Sequence, residues 1–109
     1  MAYDEGLAEI LRGDLVDLPG VTEKKMFGGL AFLVGGNMLC GVHSGGAMFR
    51  VGKENEAQAL AIEGVRPMDF TGRRMGGFVD VADEAVVDEV RRARLMALGC
   101  AFVETLPAK

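Results

Sequence analysis

Apolar residues near the start of the chain, Leu7, Ile10, Leu11, Leu15 and Leu18, recur at steps of three and four, the spacing of one helical face. This predicts a helix over residues 4–18, with Asp4 as its N-cap and Pro19-Gly20 as its stop. The outward positions Glu5, Glu9, Asp14 and Asp17 surround a lone Arg12 and read as a solvated helix surface. After Gly20 the period changes. Residues 21–26, 30–34, 38–42 and 47–51 read as strands, separated at Gly-Gly-Asn and Ser-Gly-Gly turns, and predict an antiparallel meander. Residues 30–34 are apolar on both faces, which places this strand centrally with helices on one side and a second cover on the other. A homodimer could supply that cover. Alternation puts Met38, Cys40 and Val42 on one face, and likewise Ala47, Phe49 and Val51, leaving Gly41, His43, Met48 and Arg50 on the opposite sides.

Residues 53–62 read as a short helix with Ala57, Leu60 and Ala61 inward, stopped by Glu63-Gly64. A second hairpin follows, residues 65–70 and 75–81 around Thr71-Gly72, and Pro67 confines its first strand to a sheet edge. Asp83 then caps a helical region running to about residue 105, with Val86, Val90, Ala93 and Ala97 as its apolar stripe, Phe102 near its end and Gly99 as a dividing point. The fold class predicted is α+β: a mainly antiparallel twisted sheet, meander plus second hairpin, with N- and C-terminal helices packed on it.

Composition narrows the function more than the fold. A chain of 109 residues corresponds to one domain, residues 1–109. Its 12 basic and 16 acidic side chains give a formal charge of −4, which argues against direct nucleic-acid binding beyond a weak, local contact. With 50% hydrophobic and 26% charged residues the chain has the means to form a core. The acidic opening lacks the basic start and apolar run of a secretory signal, so a cytoplasmic location is expected. Residues 26–49 include no Asp, Glu, Lys or Arg and are long enough on paper to span a bilayer, but seven are glycine and the longest glycine-free apolar run is residues 30–34. That is strand length, and no membrane association is expected.

The residues offer little for catalysis. No Gly-x-Gly-x-x-Gly occurs, and the Gly46 to Gly52-Lys53 stretch misses P-loop spacing and has Glu54 where a Ser or Thr is needed. The glycines read instead as turn and bulge residues. Cys40 and His43 would fall on opposite faces of a strand, which does not suit a metal pair, and His43 is the single histidine, read as an exposed hairpin-end residue. The cysteines lack Cys-x-x-Cys spacing and read as small buried hydrophobes without a disulfide. Acidic pairs at Asp83-Glu84 and Asp88-Glu89 read as helix caps and dipole partners. Neither enzymatic activity, a metal nor a cofactor is expected.

Basic residues cluster at Lys24-Lys25, at Arg73-Arg74, and at Arg91, Arg92 and Arg94. The first two pairs each precede a methionine and a Gly-Gly pair, with Phe27 following Met26 in the first. If the two strands were neighbours, four positive charges would meet at one sheet end and could hold a phosphate or an acidic protein surface. Solubilising charges that guard apolar edges are the simpler reading.

The segment Val21-Thr22-Glu23-Lys24-Lys25-Met26-Phe27-Gly28-Gly29-Leu30-Ala31-Phe32 resembles the N-terminal domain family of the competence regulators TfoX and Sxy. Further agreement comes from Gly36-Asn37-Met38, Arg50-Val51-Gly52, Gly64 through Arg73, and residues 101–107. The resemblance spans nearly the whole chain. It implies an α+β domain and a non-enzymatic regulatory or protein-interaction role, in concert with a DNA-bound transcription factor such as the cyclic-AMP receptor protein. Full-length regulators of this kind carry an additional C-terminal helical domain, which is not expected in this chain. Residues Lys24, Lys25, Phe27, Gly28, Gly29, Arg73 and Arg74 are the candidate partner- or anion-binding set. The alternative reading is a small-ligand or anion-binding module, with a groove lined by Gly28, Gly29, Gly41 and Gly77.

Overall fold

Asp4 accepts the backbone N–H groups of Gly6 at 2.7 Å and Leu7 at 3.3 Å, so the first helix begins at its expected cap. The computed structural model describes residues 3–26, 28–70 and 72–108, the side chains of Phe70 and Arg74 apart. In chain order these form α1 (Glu5–Asp14), β1 (Val21–Met26), β2 (Gly29–Val34), β3 (Asn37–His43), β4 (Gly46–Arg50), a 3-10 turn (Lys53–Asn55), α2 (Glu56–Leu60), β5 (Val65–Phe70), β6 (Arg73–Val81), α3 (Asp83–Val87) and α4 (Glu89–Val103). The strands pair antiparallel in one sheet of order β1-β2-β3-β4-β6-β5, and the fold is α+β. The charge-free stretch is therefore strand material, β2, β3 and most of β4. Among the described residues no helix is long and apolar enough to cross a membrane.

The helices cover one face. Leu7 and Leu11 of α1, Val86 of α3, and Leu95 and Val103 of α4 pack with Phe32, Cys40, Val42, Phe49, Val79 and Val81 in a single buried cluster. Gly99 sets how close α4 can come, since a Cβ there would lie 2.7 Å from Leu39 Cδ1 and 3.3 Å from the Arg50 carbonyl oxygen. Pro67 lies on β5, an edge strand, as its missing N–H requires.

Several local expectations are corrected. α1 ends at Asp14, and Leu15 to Leu18 continue only as turns. The terminal helical region divides at Asp88, not at Gly99, because the Asp88 side chain accepts the N–H groups of Val90 (3.0 Å) and Arg91 (3.1 Å) and starts a new helix. The cap of α3 is Ala82 rather than Asp83. That break rotates α4, so its buried stripe is Leu95, Gly99 and Val103, while Val90, Ala93 and Ala97 are exposed. In α2 the 3-10 entry likewise changes the phase: Ala59 and Ile62 are buried, Leu60 is half-buried, and Ala57 and Ala61 face solvent.

A further correction is in β3. Phe32 pairs with Cys40 and Leu33 with Met38, so Leu39 is the extra residue of a β-bulge. Leu39 and Cys40 both enter the core, and Met38 moves to the other side of the sheet from Cys40 and Val42.

Candidate functional site

The face opposite the helices is built from the other half of each strand's alternation. Lys24, Ala31, Gly41, Met48, Asp80 and Arg66 form one continuous row across all six strands. Small residues at its centre leave room for Met48, whose Cε would lie 3.4 Å from a Cβ at Gly41. Beside this row Met26, Met38, Met68, Met75 and Phe78 line a groove of about 290 Å³ with Met48. Five of the chain's seven methionines thus share one cavity. Met26 comes from one edge strand and Met68 from the other, so the sheet curves enough for both edges to line the same groove.

His43 and Asp80 form the polar part of this groove. His43 Nε2 lies 2.8 Å from Asp80 Oδ1, and Arg66 Nε donates to Asp80 Oδ2 at 3.0 Å. Gly45 N–H donates to His43 Nδ1 at 2.9 Å, which requires a lone pair there and places the neutral ring's proton on Nε2, donating to Asp80. His43 is therefore half-buried and bonded, not the exposed hairpin-end residue expected. With both nitrogens engaged, the imidazole keeps no lone pair for a substrate. Cys40 and His43 fall on opposite faces, as alternation predicted.

The predicted basic residues are brought together in part. β1 and β6 are not neighbours; β2, β3 and β4 lie between them, so the basic pairs do not meet along adjacent strands. The two pairs are linked differently: Met26 of β1 and Met75 of β6, which directly follow them in sequence, line the same groove on the open face. Lys24 stands on the open face beside Ala31, whereas Lys25 pairs with Leu30 and stands on the helix face. Lys24, Lys25 and Arg73 are exposed. Phe27 and the Arg74 side chain lie outside the described residues.

Two members of the third basic cluster are structural, while Arg94 is exposed. Arg92 Nε donates to Asp14 Oδ2 at 2.6 Å, and Arg91 donates to the Glu63 carbonyl oxygen at 3.1 Å and pairs with Asp88 at 3.2 Å. Gly29 and Gly41 serve close strand packing rather than a groove, since a Cβ at either would lie 2.1 Å from the Val42 oxygen or 2.7 Å from the Leu30 oxygen. Gly77 does line a cleft. Both cysteines are free, and burial pushes both thiols above their usual range.

That cleft, of about 680 Å³, lies at the end of β4. Arg50, Gly52 and Lys53 form one wall, Gly76, Gly77 and Phe78 of β6 another, and Phe102 of α4 closes the end. Val51 and Gly52 both donate to the Gly77 carbonyl oxygen, at 2.8 and 3.0 Å, and Gly77 N–H donates to Glu56 Oε1 at 2.8 Å. Gly52 has φ +86°, and a Cβ there would lie 2.4 Å from Phe102 Cδ1. Sequence reasoning missed Arg50 and Phe102 as a pair. The available signal was Arg50 itself, the first charge after the long charge-free stretch.

No curated protein and no solved structure matches this chain. The model of the TfoX N-terminal domain matches residues 14–103, covering α1's last residue, all six strands and the helices to the end of α4, and the chain belongs to that family.

Proposed function

We propose that this chain is a cytoplasmic, non-enzymatic regulatory domain that works by docking another protein on the open face of its sheet. The observation that carries this reading is the methionine-lined groove on the open face, with Lys24 on that same face and the basic pairs Lys24-Lys25 and Arg73-Arg74 directly before its Met26 and Met75 in the sequence. Methionine side chains are flexible and polarizable and adapt to an apolar partner surface. Flanking cations select a partner whose apolar patch is rimmed with carboxylates, despite the net negative charge of the whole domain. The family supports a partner among DNA-bound transcription factors, with the cyclic-AMP receptor protein as the one to test. The bonded state of His43 and the lack, among the described residues, of any group of three or more potential metal ligands support a role without catalysis.

The test is fluorescence anisotropy of a labelled promoter duplex already carrying the cyclic-AMP receptor protein, titrated with this protein at moderate salt, with naked duplex as control. A rise only when the receptor is present is expected. It should vanish in a variant with Lys24→Glu, Lys25→Glu, Arg73→Glu and Arg74→Glu whose Tm is unchanged. An equal rise on naked duplex would replace partner docking by direct DNA binding, and no rise on either would refute the regulatory reading for this chain.

A further inference from the structure

The cleft at the end of β4 contains an arginine that the fold immobilises without neutralising. Arg50 Cζ lies 5.6 Å from the Phe78 ring centroid and 5.2 Å from that of Phe102. Contacts of this kind hold a guanidinium through its charge and its flat faces and leave its N–H donors available. Four other arginines are paired with carboxylates: Arg12 with Glu23, Arg66 with Asp80, Arg91 with Asp88 and Arg92 with Asp14. Arg50 is half-buried, yet among the described residues it has no hydrogen bond or ion pair through its side chain. Arg73 and Arg94, which likewise have no ion pair among the described residues, are by contrast exposed.

A second cation faces the same space. The Lys53 stem lies across Gly76, where an added Cβ would be 3.0 Å from Lys53 Cε, so the absent side chain lets the lysine lie along the cleft. Lys53 has no ion pair among the described residues either. Among the lining residues Glu54 is the one carboxylate beside these two cations, and the Glu56 carboxylate next to the wall is engaged by the Gly77 N–H. The rest of the wall is uncharged, with Phe78 and Phe102 beside the guanidinium. Its volume of about 680 Å³ suits a small organic molecule, since ligand pockets typically enclose about 300–1,000 Å³.

We propose that this cleft is a binding site for a small oxyanion, a carboxylate or phosphate group taken bidentately by Arg50 and neutralised in part by Lys53. Phe78 and Phe102 fix the plane of the guanidinium before the ligand arrives, which reduces the ordering cost of binding. The site is distinct from the docking groove in its charged groups, although Phe78 lines both.

The test uses the whole protein with two probes, inorganic phosphate and benzoate, at ionic strength matched with sodium chloride. The readout is NMR titration of the Arg50 Nε–H and the Gly76 backbone amide, with thermal shift in parallel. A saturating response to at least one probe is expected. Arg50→Lys, which keeps the charge but loses the planar fork, should weaken it about tenfold, and Lys53→Ala, at an exposed side chain, should weaken it about threefold. The charge-reversal variant of the two basic hairpins should bind the probes as the parent does, which separates this site from the docking reading. No saturation by either probe, a response reproduced by chloride alone, or equal affinity in Arg50→Lys and Lys53→Ala would overturn the proposal. Which probe saturates distinguishes a phosphate from a carboxylate ligand.

Discussion

The row Glu23, Phe32, Cys40, Phe49, Val79 and Pro67 and the row Lys24, Ala31, Gly41, Met48, Asp80 and Arg66 cross the same six strands one residue apart, on opposite faces. In the first, the four central side chains are fully buried beneath the helices, and at the rim Arg12 covers Phe32 while pairing with Glu23. In the second, small residues and one methionine fill the centre and charges occupy the ends. Both rows have the same backbone and the same pairing. The difference lies in what each face has to pack against: rigid aromatic and β-branched side chains suit a fixed neighbour such as a helix, whereas flexible methionines suit a surface whose neighbour is not part of the chain. Stability should therefore reside in the first row and recognition in the second.

The largest expected effect tests the first half of that division. Phe49→Ala removes a fully buried ring and should cost about 3–5 kcal/mol in urea unfolding. A loss below about 1 kcal/mol would show that the helix face is not the source of stability. Gly52→Ala comes next, because it forces a side chain into φ +86° and against Phe102 at 2.4 Å; a cost of about 2–3 kcal/mol is expected from the same measurement. Met68→Gln, on the open face and half-buried, should change stability by no more than about 1 kcal/mol while abolishing receptor-dependent anisotropy. The reverse pattern would move recognition away from the groove.

The smallest effect is a pH dependence on the helix side. The Arg91 backbone N–H, with the Arg91 side chain, holds the Asp88 carboxyl below its ordinary 3.8, and the Arg12 side chain holds Glu23 below its ordinary 4.5. A depressed folded-state pKa gives stability that is complete above the ordinary value and lost as pH falls through the folded one. Urea midpoints should thus be flat at neutral pH and fall slightly below about pH 4.5, and an Asp88→Asn, Glu23→Gln variant should show a shallower fall. Both groups are exposed, so high salt should reduce the difference further.

Much of the architecture was readable because strands repeat every second residue and glycine punctuates them. The bounds of β1 and β5 match those read from the pattern, and β5's place at an edge followed from Pro67. The helices were harder to orient. Residues in α4 are apolar on more than one side, so Val90, Ala93 and Ala97 form as convincing a stripe as Leu95, Gly99 and Val103, and only the Asp88 cap decides between them. The bulge at Leu39 was equally hidden, since an unbroken alternation is the simplest reading of Met38, Cys40 and Val42. Of the candidate site, the two basic pairs and their methionines were visible as a short echo, but their shared groove was not.

By itself, then, the sequence determined the family, the α+β class, the strand order along the chain and the residue types on each strand face, because these follow from local period and turn chemistry. Tertiary structure decided that the second hairpin joins the meander through β4 and β6, and that Arg50 lies beside Phe78 and Phe102 without a carboxylate among the described residues. Those outcomes join residues far apart in the chain, Arg50 with Phe78 and with Phe102, and such contacts depend on how the whole sheet curves and where α4 docks rather than on any local pattern.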